Sequence, residues 1–546
     1  MPPYMKGDMG FGAGSVGGGN RVRLVMGCSQ CRMREVHSLK SAILAGWELS
    51  PRSAGILTSS VDRTGGFLYC VACPKVAGVW EVRPPQPGFI CSMDSPANSP
   101  ATTVAAPEAP QLLRALGLWE ATSIVIGIMI GTAIFLVPAE ITRAMGTKEA
   151  ALAVWAVAGL LSLFGALSFA ELAAMLPQAG GQYVYLRQAY GPLLGYLCGW
   201  SFFIATQTGG LSVLAVGLAE YVNEFLPLTP WEQKAAAALA IALLTVINYL
   251  GVREGGAVQS ILTGLKIGAI VVLILLGYVL VKGLPAGPAA LAAPVGHRFL
   301  ASFGVAMVAA FWAYEGWNVC TFAAGEVKRP ERNLPVALIL GTLAVIVIYL
   351  ALNLVYYHVL PLDRVARSPR VGADAAVRIF GHTGSYLVSL LIIISTLGSL
   401  NGSILGAPRV YYAMAKDGLF FRWCARVHPR FRTPHVALVV QGVWAVALVA
   451  AGTYEQLYTY VIFAAFVFYA LGALAVVVLR HKMPNAPRPY RVWGYPYVPI
   501  VFVLGSVWFL ANTLREAPRE AGFGTLMLAA GVLVYWLWRR RTTTRP

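Results

Sequence analysis

The fold of this chain is decided by two stretches of its sequence, Gly127-Ile-Met-Ile-Gly-Thr-Ala-Ile-Phe-Leu-Val-Pro138 and Phe311-Trp-Ala-Tyr-Glu-Gly-Trp-Asn318. Each lies within a long apolar segment and interrupts it with glycine and polar residues, where a transmembrane helix should be continuous. In a bilayer every backbone N–H and C=O needs a partner, so unwound chain at membrane depth is tolerated only where it lines a cavity. A matched pair of such breaks is typical of the substrate site of a membrane transporter.

The composition indicates a membrane protein. The chain is 57% hydrophobic and 12% charged, and apolar runs long enough to cross the hydrocarbon layer recur from Leu118 onward. A large soluble protein would not keep so many consecutive apolar stretches. The pattern predicts an all-α integral membrane protein with twelve transmembrane helices, over residues 117–145, 149–176, 192–221, 233–250, 255–282, 302–326, 334–358, 384–415, 435–452, 455–480, 497–514 and 521–538.

The breaks fall in the first and sixth predicted helices. That offset predicts two inverted five-helix repeats followed by two C-terminal helices, with a site near the bilayer midplane between the broken helices.

The net charge of +18 is interpreted as an orientation signal and not as a nucleic-acid footprint. Basic residues collect in the loops after the sixth, eighth and tenth predicted helices and in the C-terminal tail, as the positive-inside rule expects of cytoplasmic segments. This predicts a multi-pass protein of the cell membrane with both termini in the cytoplasm. One loop does not follow the positive-inside rule, because it lies on the predicted outer side and contains Arg364, Arg367, Arg370 and Arg378. The loop residues are Lys328, Arg329, Arg332, Arg409, Lys416, Arg422, Arg426, Arg430, Arg432, Arg480, Lys482, Arg488 and Arg491.

Residues 1–92 differ from the rest, since they are rich in Gly, Pro, Ser and Arg and lack a sustained helical or alternating pattern. We interpret them as a low-complexity extension, either disordered or translated from a start site upstream of the true one. Met93 is a natural alternative start. Residues 93–115 form a Ser/Pro/Ala-rich linker, and residues 116–546 form the membrane domain.

The extension contains two Cys-x-x-Cys pairs, Cys28 with Cys31 and Cys70 with Cys73. Such pairs suit a tetrahedral zinc site, because both thiolates can face one metal. The pairs stand about 38 residues apart, however, well outside the usual 15 to 20 of a zinc ribbon. They are a weak zinc candidate, and no other metal or cofactor is predicted.

At the first break, Gly131, Thr132 and Ala133 are small, so a ligand can closely approach their backbone N–H groups. The half-helix that starts near Ala133 directs its positive dipole end into the gap, where a carboxylate is favoured. The alternative is that Gly127 and Gly131 form a small-residue packing face, which is common in membrane helices.

The second break offers the complementary groups. Unwound chain from Trp312 through Ala313 and Tyr314 to Glu315 would expose carbonyl oxygens to a substrate ammonium, and Gly316 permits the bend. Trp312 and Tyr314 can close over a ligand, although packing is the ordinary role of aromatic residues in such helices. Glu315 is the sharper signal, since an acid within a membrane helix indicates a functional site. Together the two breaks predict a site for a zwitterion.

Lys266 lies in the middle of the fifth predicted helix, where its ammonium must find carbonyls, water or an acid. It is a candidate for gating or coupling with Trp312 and Glu315, by standing in for a sodium ion or by carrying a proton. The alternative is that it snorkels to the interface. Glu171 is a second buried acid, which can also simply pair with a loop cation.

From Leu116 to Leu514 the chain resembles the amino acid–polyamine–organocation superfamily, close to its L-type amino acid transporters. Six ordered motifs carry the resemblance, and they are Gly131–Pro138, Glu171–Pro177 with Gly180–Tyr185, Asn248–Arg253, Gly325–Pro335, Asn401-Gly-Ser with Arg409 and Asp417-Gly418, and Arg488–Val492.

The resemblance implies a LeuT-type fold and sodium-independent transport of L-amino acids by alternating access. It implies that the carboxylate of the amino acid binds at Gly131 to Ala133 and its amine at Trp312 to Glu315. It also implies that Trp312 acts as a gate and that Lys266 replaces a sodium ion. Ala133 stands where the family usually has glycine. Glu315 stands at a position where some members of the family have glycine and others an acid. No cysteine occurs in residues 222–232, so no covalent glycoprotein partner is implied.

We therefore expect an amino acid permease that works by proton symport or amino acid exchange, with the amino acid, the lipid bilayer and, for symport, protons as its partners. The nearest alternative is a polyamine or cationic amino acid antiporter, for which Glu315 would suit a second ammonium. An alternative of another class is a membrane sensor of amino acids that keeps the transporter fold. An enzyme is not expected, because the sequence shows no nucleophile–base set or nucleotide loop.

Overall fold

The computed structural model describes residues 110–282, 290–291, 297–451, 454–516 and 518–543, together with five short strands nearer the N-terminus. The chain divides into two compact units, residues 1–106 and residues 107–546. Each unit is described by itself.

The first unit contains β1 (Arg23–Leu24), β2 (Glu48–Leu49), β3 (Leu57–Val61), β4 (Phe67–Val71) and β5 (Val82–Arg83). Strands β1, β4 and β3 form one sheet in that order, with β1 parallel and β3 antiparallel to β4, while β2 pairs antiparallel with β5. Cys70 lies on β4, whereas Cys28, Cys31 and Cys73 lie outside the described residues. The zinc site therefore remains a prediction. So does the interpretation of residues 1–92 as disordered or as translated from a start site upstream of the true one.

The second unit is helical. Its α-helices are α1 (Leu118–Met129), α2 (Ala133–Leu136), α3 (Pro138–Met145), α4 (Lys148–Met175), α5 (Gln182–Tyr190), α6 (Pro192–Ser201), α7 (Gln207–Val222), α8 (Pro230–Leu250), α9 (Val252–Leu280), α10 (His297–Ala313), α11 (Pro330–Val359), α12 (Leu362–Arg367), α13 (Val371–Phe380), α14 (Thr383–Gly406), α15 (Pro408–Lys416), α16 (His435–Ala451), α17 (Tyr454–Lys482), α18 (Tyr497–Glu516) and α19 (Pro518–Thr543). A π-turn, Phe202–Thr206, joins α6 to α7, and 3₁₀ helices cover Val319–Glu326 and Arg422–Ala425.

Among the described residues, ten helical segments are long and apolar enough to cross a membrane. The expected all-helical, multi-pass membrane architecture is confirmed. Two shorter apolar helices are present, of which Phe299–Ala313 overlaps the predicted sixth span and His435–Ala450 falls within the predicted ninth. The full count of twelve and the inverted repeat remain predictions, and the short helices α5, α12 and α13 were not expected.

Local sequence signals explain where several helices begin and end. Thr229 precedes Pro230 at the start of α8 and forms a capping box with Glu232, whose carboxylate accepts from the Thr229 N–H at 2.6 Å. The hydroxyl of Thr147 accepts from the amide of Ala150 at 3.2 Å and starts α4. Helix α3 ends at Gly146, whose φ of 73° is easy only for glycine.

The first broken helix lies at the centre of the membrane unit, since α1 packs against α9, α11 and α14. Beside it, the rings of Trp155 on α4, Tyr349 on α11 and Tyr314 form a buried cluster, with centroids 5.0–5.9 Å apart. The two breaks are therefore enclosed by neighbouring helices.

At the end of the molecule where α1 begins, the chain before α1 is bonded to the chain after the second break. The amides of Ala115 and Leu116 donate to the carbonyl of Glu326 at 2.8 and 3.0 Å, and the amide of Lys328 donates to Leu116 at 2.8 Å. The Glu326 carboxylate accepts from Arg409 Nε at 2.6 Å and Nη2 at 3.1 Å, and both side chains are fully buried. The sequence interpretation of Arg409 as a loop cation was therefore wrong, because this residue lies on α15 and its guanidinium is paired inside the fold.

Glu171 is also part of the framework. Its carboxylate receives two hydrogen bonds from Arg480, at 2.9 and 2.7 Å, and one from the backbone amide of Val492 at 2.7 Å. These bonds tie the end of α4 to the end of α17. The pairing with a cation beyond the helix, which the sequence left open, is what the structure shows.

Candidate functional site

The first break lies where the sequence placed it. Helix α1 ends at Met129, residues 130–132 are non-helical, and α2 begins at Ala133. The N–H of Gly131 bonds within the turn to the carbonyl of Met129 at 3.0 Å, so it is already engaged. The amides of Thr132 and Ala133, at the start of the next helical stretch, are the ones left to meet a carboxylate.

The second break begins two residues later than predicted. Trp312 and Ala313 still belong to α10, and the unwound residues are 314–318, followed by the 3₁₀ helix. The N–H of Glu315 bonds to the carbonyl of Trp312 at 3.3 Å, so the carbonyl of Phe311 loses its usual helical donor. Gly316 has a φ of 106°, which makes the bend possible.

The two breaks touch. A Cβ atom added to Gly316 would lie 2.3 Å from Ile128 Cγ2 on α1. The hydroxyl of Tyr349 lies 2.6 Å from the carbonyl oxygen of Met129 and 2.9 Å from that of Ala313, at the ends of the two broken helices. Sequence reasoning missed Tyr349, because a tyrosine in an apolar run looks like a packing residue.

Lys266 is fully buried and does not snorkel to the interface. Its Nζ donates to the carbonyls of Gly127 at 2.8 Å, Ile130 at 2.7 Å and Ser395 at 2.7 Å. The hydroxyls of Ser395 and Ser399 donate to Ile130 at 2.7 Å and Gly127 at 2.9 Å, respectively. A cation and two hydroxyls thus satisfy the carbonyls at the end of α1, where the helix dipole favours positive charge.

A cavity lies between the breaks, with about 50 Å³ open to the centres of water-sized molecules. Six of the predicted substrate-binding residues line it: Gly131, Thr132, Ala133, Trp312, Glu315 and Gly316. Ala313 and Tyr314 do not. The Tyr314 ring packs against Trp155 and Tyr349, so the structure does not support its predicted role in closing over a ligand.

Glu315 begins a chain of polar side chains that leads away from the cavity. Its carboxylate accepts from Tyr469 Oη at 2.5 Å, and the same hydroxyl lies 3.2 Å from Asn318 Oδ1. The amide of Asn318 donates to Gln182 Oε1 at 2.9 Å. The acid in the cavity wall is therefore held in place by α17 and is not paired with a cation among the described residues.

One wall of the cavity was not foreseen. It is formed by Thr206, Gln207, Gly210 and Leu214, which follow from the π-turn, and by Ser403 on α14. A π-turn has no recognisable sequence pattern. Gln207 did carry a signal, because a polar amide in an apolar span needs a reason.

The chain matches the amino acid permease family over residues 116–538. It is 33% identical over 434 residues to the serine/threonine exchanger SteT of Bacillus subtilis, covering 79% of this chain and 98% of that one. It is 31% identical over 443 residues to the human b(0,+)-type amino acid transporter 1, covering 79% and 89%. It is 28% identical over 447 residues to the human cystine/glutamate transporter, covering 79% and 86%.

Proposed function

The chain belongs to the amino acid permease family, as its motifs indicated, and we propose that it carries L-amino acids across the cell membrane by sodium-independent alternating access. The relatives named above are transporters and exchangers of amino acids. The family match over residues 116–538 includes both breaks, which supports the same class of cargo here.

The observation that carries the proposal is the position of Lys266. Three carbonyl oxygens and two hydroxyl groups converge at the end of α1, a set of ligands that suits a hard cation such as sodium. The ammonium of Lys266 already occupies that position. A covalently attached cation needs no ion from solution, so we infer that transport proceeds without sodium.

The geometry of the breaks suits a zwitterion. The amides of Thr132 and Ala133 start a helical stretch and favour a carboxylate. The freed carbonyl of Phe311 and the carboxylate of Glu315 favour an ammonium. The two breaks therefore offer groups that complement the two charges of the ligand.

Exchange is supported over proton symport through Lys266. Each of the three ammonium hydrogens has a carbonyl acceptor, whereas a neutral amine has only two hydrogens to donate. Deprotonation would leave one buried carbonyl unsatisfied, at a cost of roughly 1–3 kcal/mol. Under symport, Glu315 is the better proton carrier.

We infer that the membrane unit has the framework expected from the sequence, with twelve spans, inverted repeats, and both termini in the cytoplasm. In that orientation the buried Glu326–Arg409 pair and the backbone bonds of Leu116 close the cytoplasmic side. These contacts must separate when the cavity opens inward.

A second candidate is transport of cationic amino acids or polyamines. Glu315 lines the cavity and has no cationic partner among the described residues, so its carboxylate can receive a second ammonium. If excess arginine or putrescine inhibits uptake of the labelled substrate more strongly than neutral amino acids do, this second function is favoured.

The test is uptake of a labelled amino acid mixture by proteoliposomes that contain the full chain, in sodium-free buffer. Uptake only into vesicles preloaded with unlabelled amino acids would establish exchange. Accumulation in empty vesicles under an inward proton gradient would establish symport. No uptake under either condition, by protein that also binds no amino acid, would overturn the proposal.

Gly131→Val tests whether the cavity is the transport site. A Cβ at Gly131 would lie 3.3 Å from Ser399 Oγ and 3.5 Å from Leu214 Cδ2, so a valine would crowd the wall of the cavity. We expect uptake to be lost while the melting temperature changes little. The matched control is Gly264→Val, at an exposed helical glycine with open space around it.

A further inference from the structure

Three backbone carbonyls of the π-turn Phe202–Thr206 accept hydrogen bonds from side chains. Tyr411 Oη on α15 donates to Phe202 at 3.2 Å, Trp444 Nε1 on α16 donates to Ile204 at 3.2 Å, and Thr208 Oγ1 donates to Phe203 at 2.5 Å. An irregular turn with dedicated partners from two other helices is a stabilised feature of the fold. Single π-turns inside helices occur frequently at functional sites.

The turn decides which residues of α7 face the cavity. One inserted residue rotates the following helix by about 100° relative to the preceding one. After it, Gln207, Gly210 and Leu214 form the stripe that lines the cavity. A Cβ at Gly210 would meet nothing within 4 Å, so this wall leaves open space beside the Gln207 amide.

On this wall the Thr206 hydroxyl is engaged, since its Oγ1 lies 3.4 Å from Ser201 Oγ, but the neutral amide of Gln207 and hydroxyl of Ser403 are not. The side chains of Gln207 and Ser403 are 8% and 7% exposed, and neither amide nor hydroxyl has a hydrogen-bond partner in the part of the chain that the structure describes. Buried polar groups cost free energy unless they are bonded. A ligand that fills the cavity is therefore favoured if it brings a matching donor and acceptor.

We propose that Gln207, presented by the π-turn, is a specificity-determining residue that selects amino acids with a short, neutral, hydrogen-bonding side chain. The inference rests on the proposed function, because the two breaks are taken to bind the carboxylate and the ammonium. The amide both donates and accepts, so it matches a hydroxyl or another amide. The space open to the centres of water-sized molecules is only about 50 Å³, which favours a short side chain.

Tyr411 and Trp444 are then positioning residues. They do not line the cavity, yet they hold the carbonyls whose displacement turns Gln207 inward. Tyr411→Phe removes one donor and keeps its ring, whereas Trp444→Phe removes the other donor and replaces the indole with a smaller ring.

The test is equilibrium binding to the purified full chain, with threonine and valine as an isosteric pair and serine and alanine as a second pair. We expect threonine to bind about tenfold more tightly than valine, since a site that hydrogen-bonds a substrate group discriminates against analogues that lack it. In Gln207→Leu the ratio should fall below about threefold. The control Gln188→Leu, on α5 away from the cavity, should keep the wild-type ratio.

Tyr411→Phe and Trp444→Phe should lower the same ratio. A merely structural role would lower the melting temperature and leave the ratio unchanged. Equal binding of threonine and valine by the wild type, or an unchanged ratio in Gln207→Leu, would overturn the inference while the transport proposal stands. Tighter binding of lysine that Glu315→Gln abolishes would also overturn it. Absence of binding by every amino acid would overturn both proposals.

Discussion

Lys266 donates to the carbonyls of Gly127, Ile130 and Ser395, and so joins α9 to the end of α1 and to α14. In Lys266→Ala these buried acceptors lose a charged donor, and each unsatisfied group costs roughly 1–3 kcal/mol. We expect initial uptake to fall by about tenfold or more while substrate affinity falls by less than about threefold, because the lysine links helices and lies behind the ligand groups. Uptake kinetics and equilibrium binding measure the two effects separately.

Lys234→Ala is the matched control for this change. Lys234 lies on α8 and donates a single bond, to the carbonyl of Ala450, on an exposed part of the surface. Its loss should leave uptake near the wild-type rate. Wild-type flux in Lys266→Ala would contradict the linking role.

The hydroxyl of Tyr349 also bonds to the end of α1 and, in addition, to the end of α10. In Tyr349→Phe the carbonyls of Met129 and Ala313 lose their shared donor, while the ring keeps its contacts with Trp155 and Tyr314. We expect amino acid affinity to fall by about five- to tenfold, the value of one buried hydrogen bond, with little change in melting temperature. The exposed Tyr386→Phe serves as control, and unchanged affinity in Tyr349→Phe would show that the breaks hold their positions without it.

Among the elements, the turn between α10 and the 3₁₀ helix depends on Gly316. Gly316→Ala would place a Cβ 2.3 Å from Ile128 Cγ2 at a φ of 106°, so both sterics and backbone strain oppose it. We expect transport to be lost and the melting temperature to fall. Gly381→Ala is a close control, because its φ is also positive, at 71°, but nothing lies within 4 Å of the added atom. Equal effects of the two changes would mean that strain alone matters and that contact between the breaks does not.

The elements also differ in how well the sequence predicted them. Small residues and Pro138 located the first break within one residue, since local sequence decides where that helix unwinds. The second break starts later than predicted because helical bonding continues up to Ala313, just before the positive φ at Gly316. The π-turn could not be predicted, because its partners Tyr411 and Trp444 lie 209 and 240 residues from the carbonyls they bind.

Across the whole molecule, hydropathy predicted the membrane architecture, because most spans are apolar along their full length. Charge counting was less reliable at single residues. Arg409 was counted among loop cations, yet it is fully buried against Glu326, a partner 83 residues away. Cavity residues that lie on the breaks were found, whereas those that depend on packing between distant helices, such as Gln207 and Ser403, were not.

We expect transport to tolerate deletion of the first unit but not of the second. The family match begins at residue 116, and every residue of the cavity and of the Lys266 cluster lies beyond it. A variant that starts at Met93 keeps the whole matched region, so it should keep the uptake kinetics of the full chain. Metal analysis of the full chain should find no stoichiometric zinc, given the wide spacing of Cys31 and Cys70. Loss of uptake by a folded, membrane-inserted variant, or one zinc per chain that disappears in Cys28→Ser, would instead give the first unit a regulatory role, as expected of a sensor.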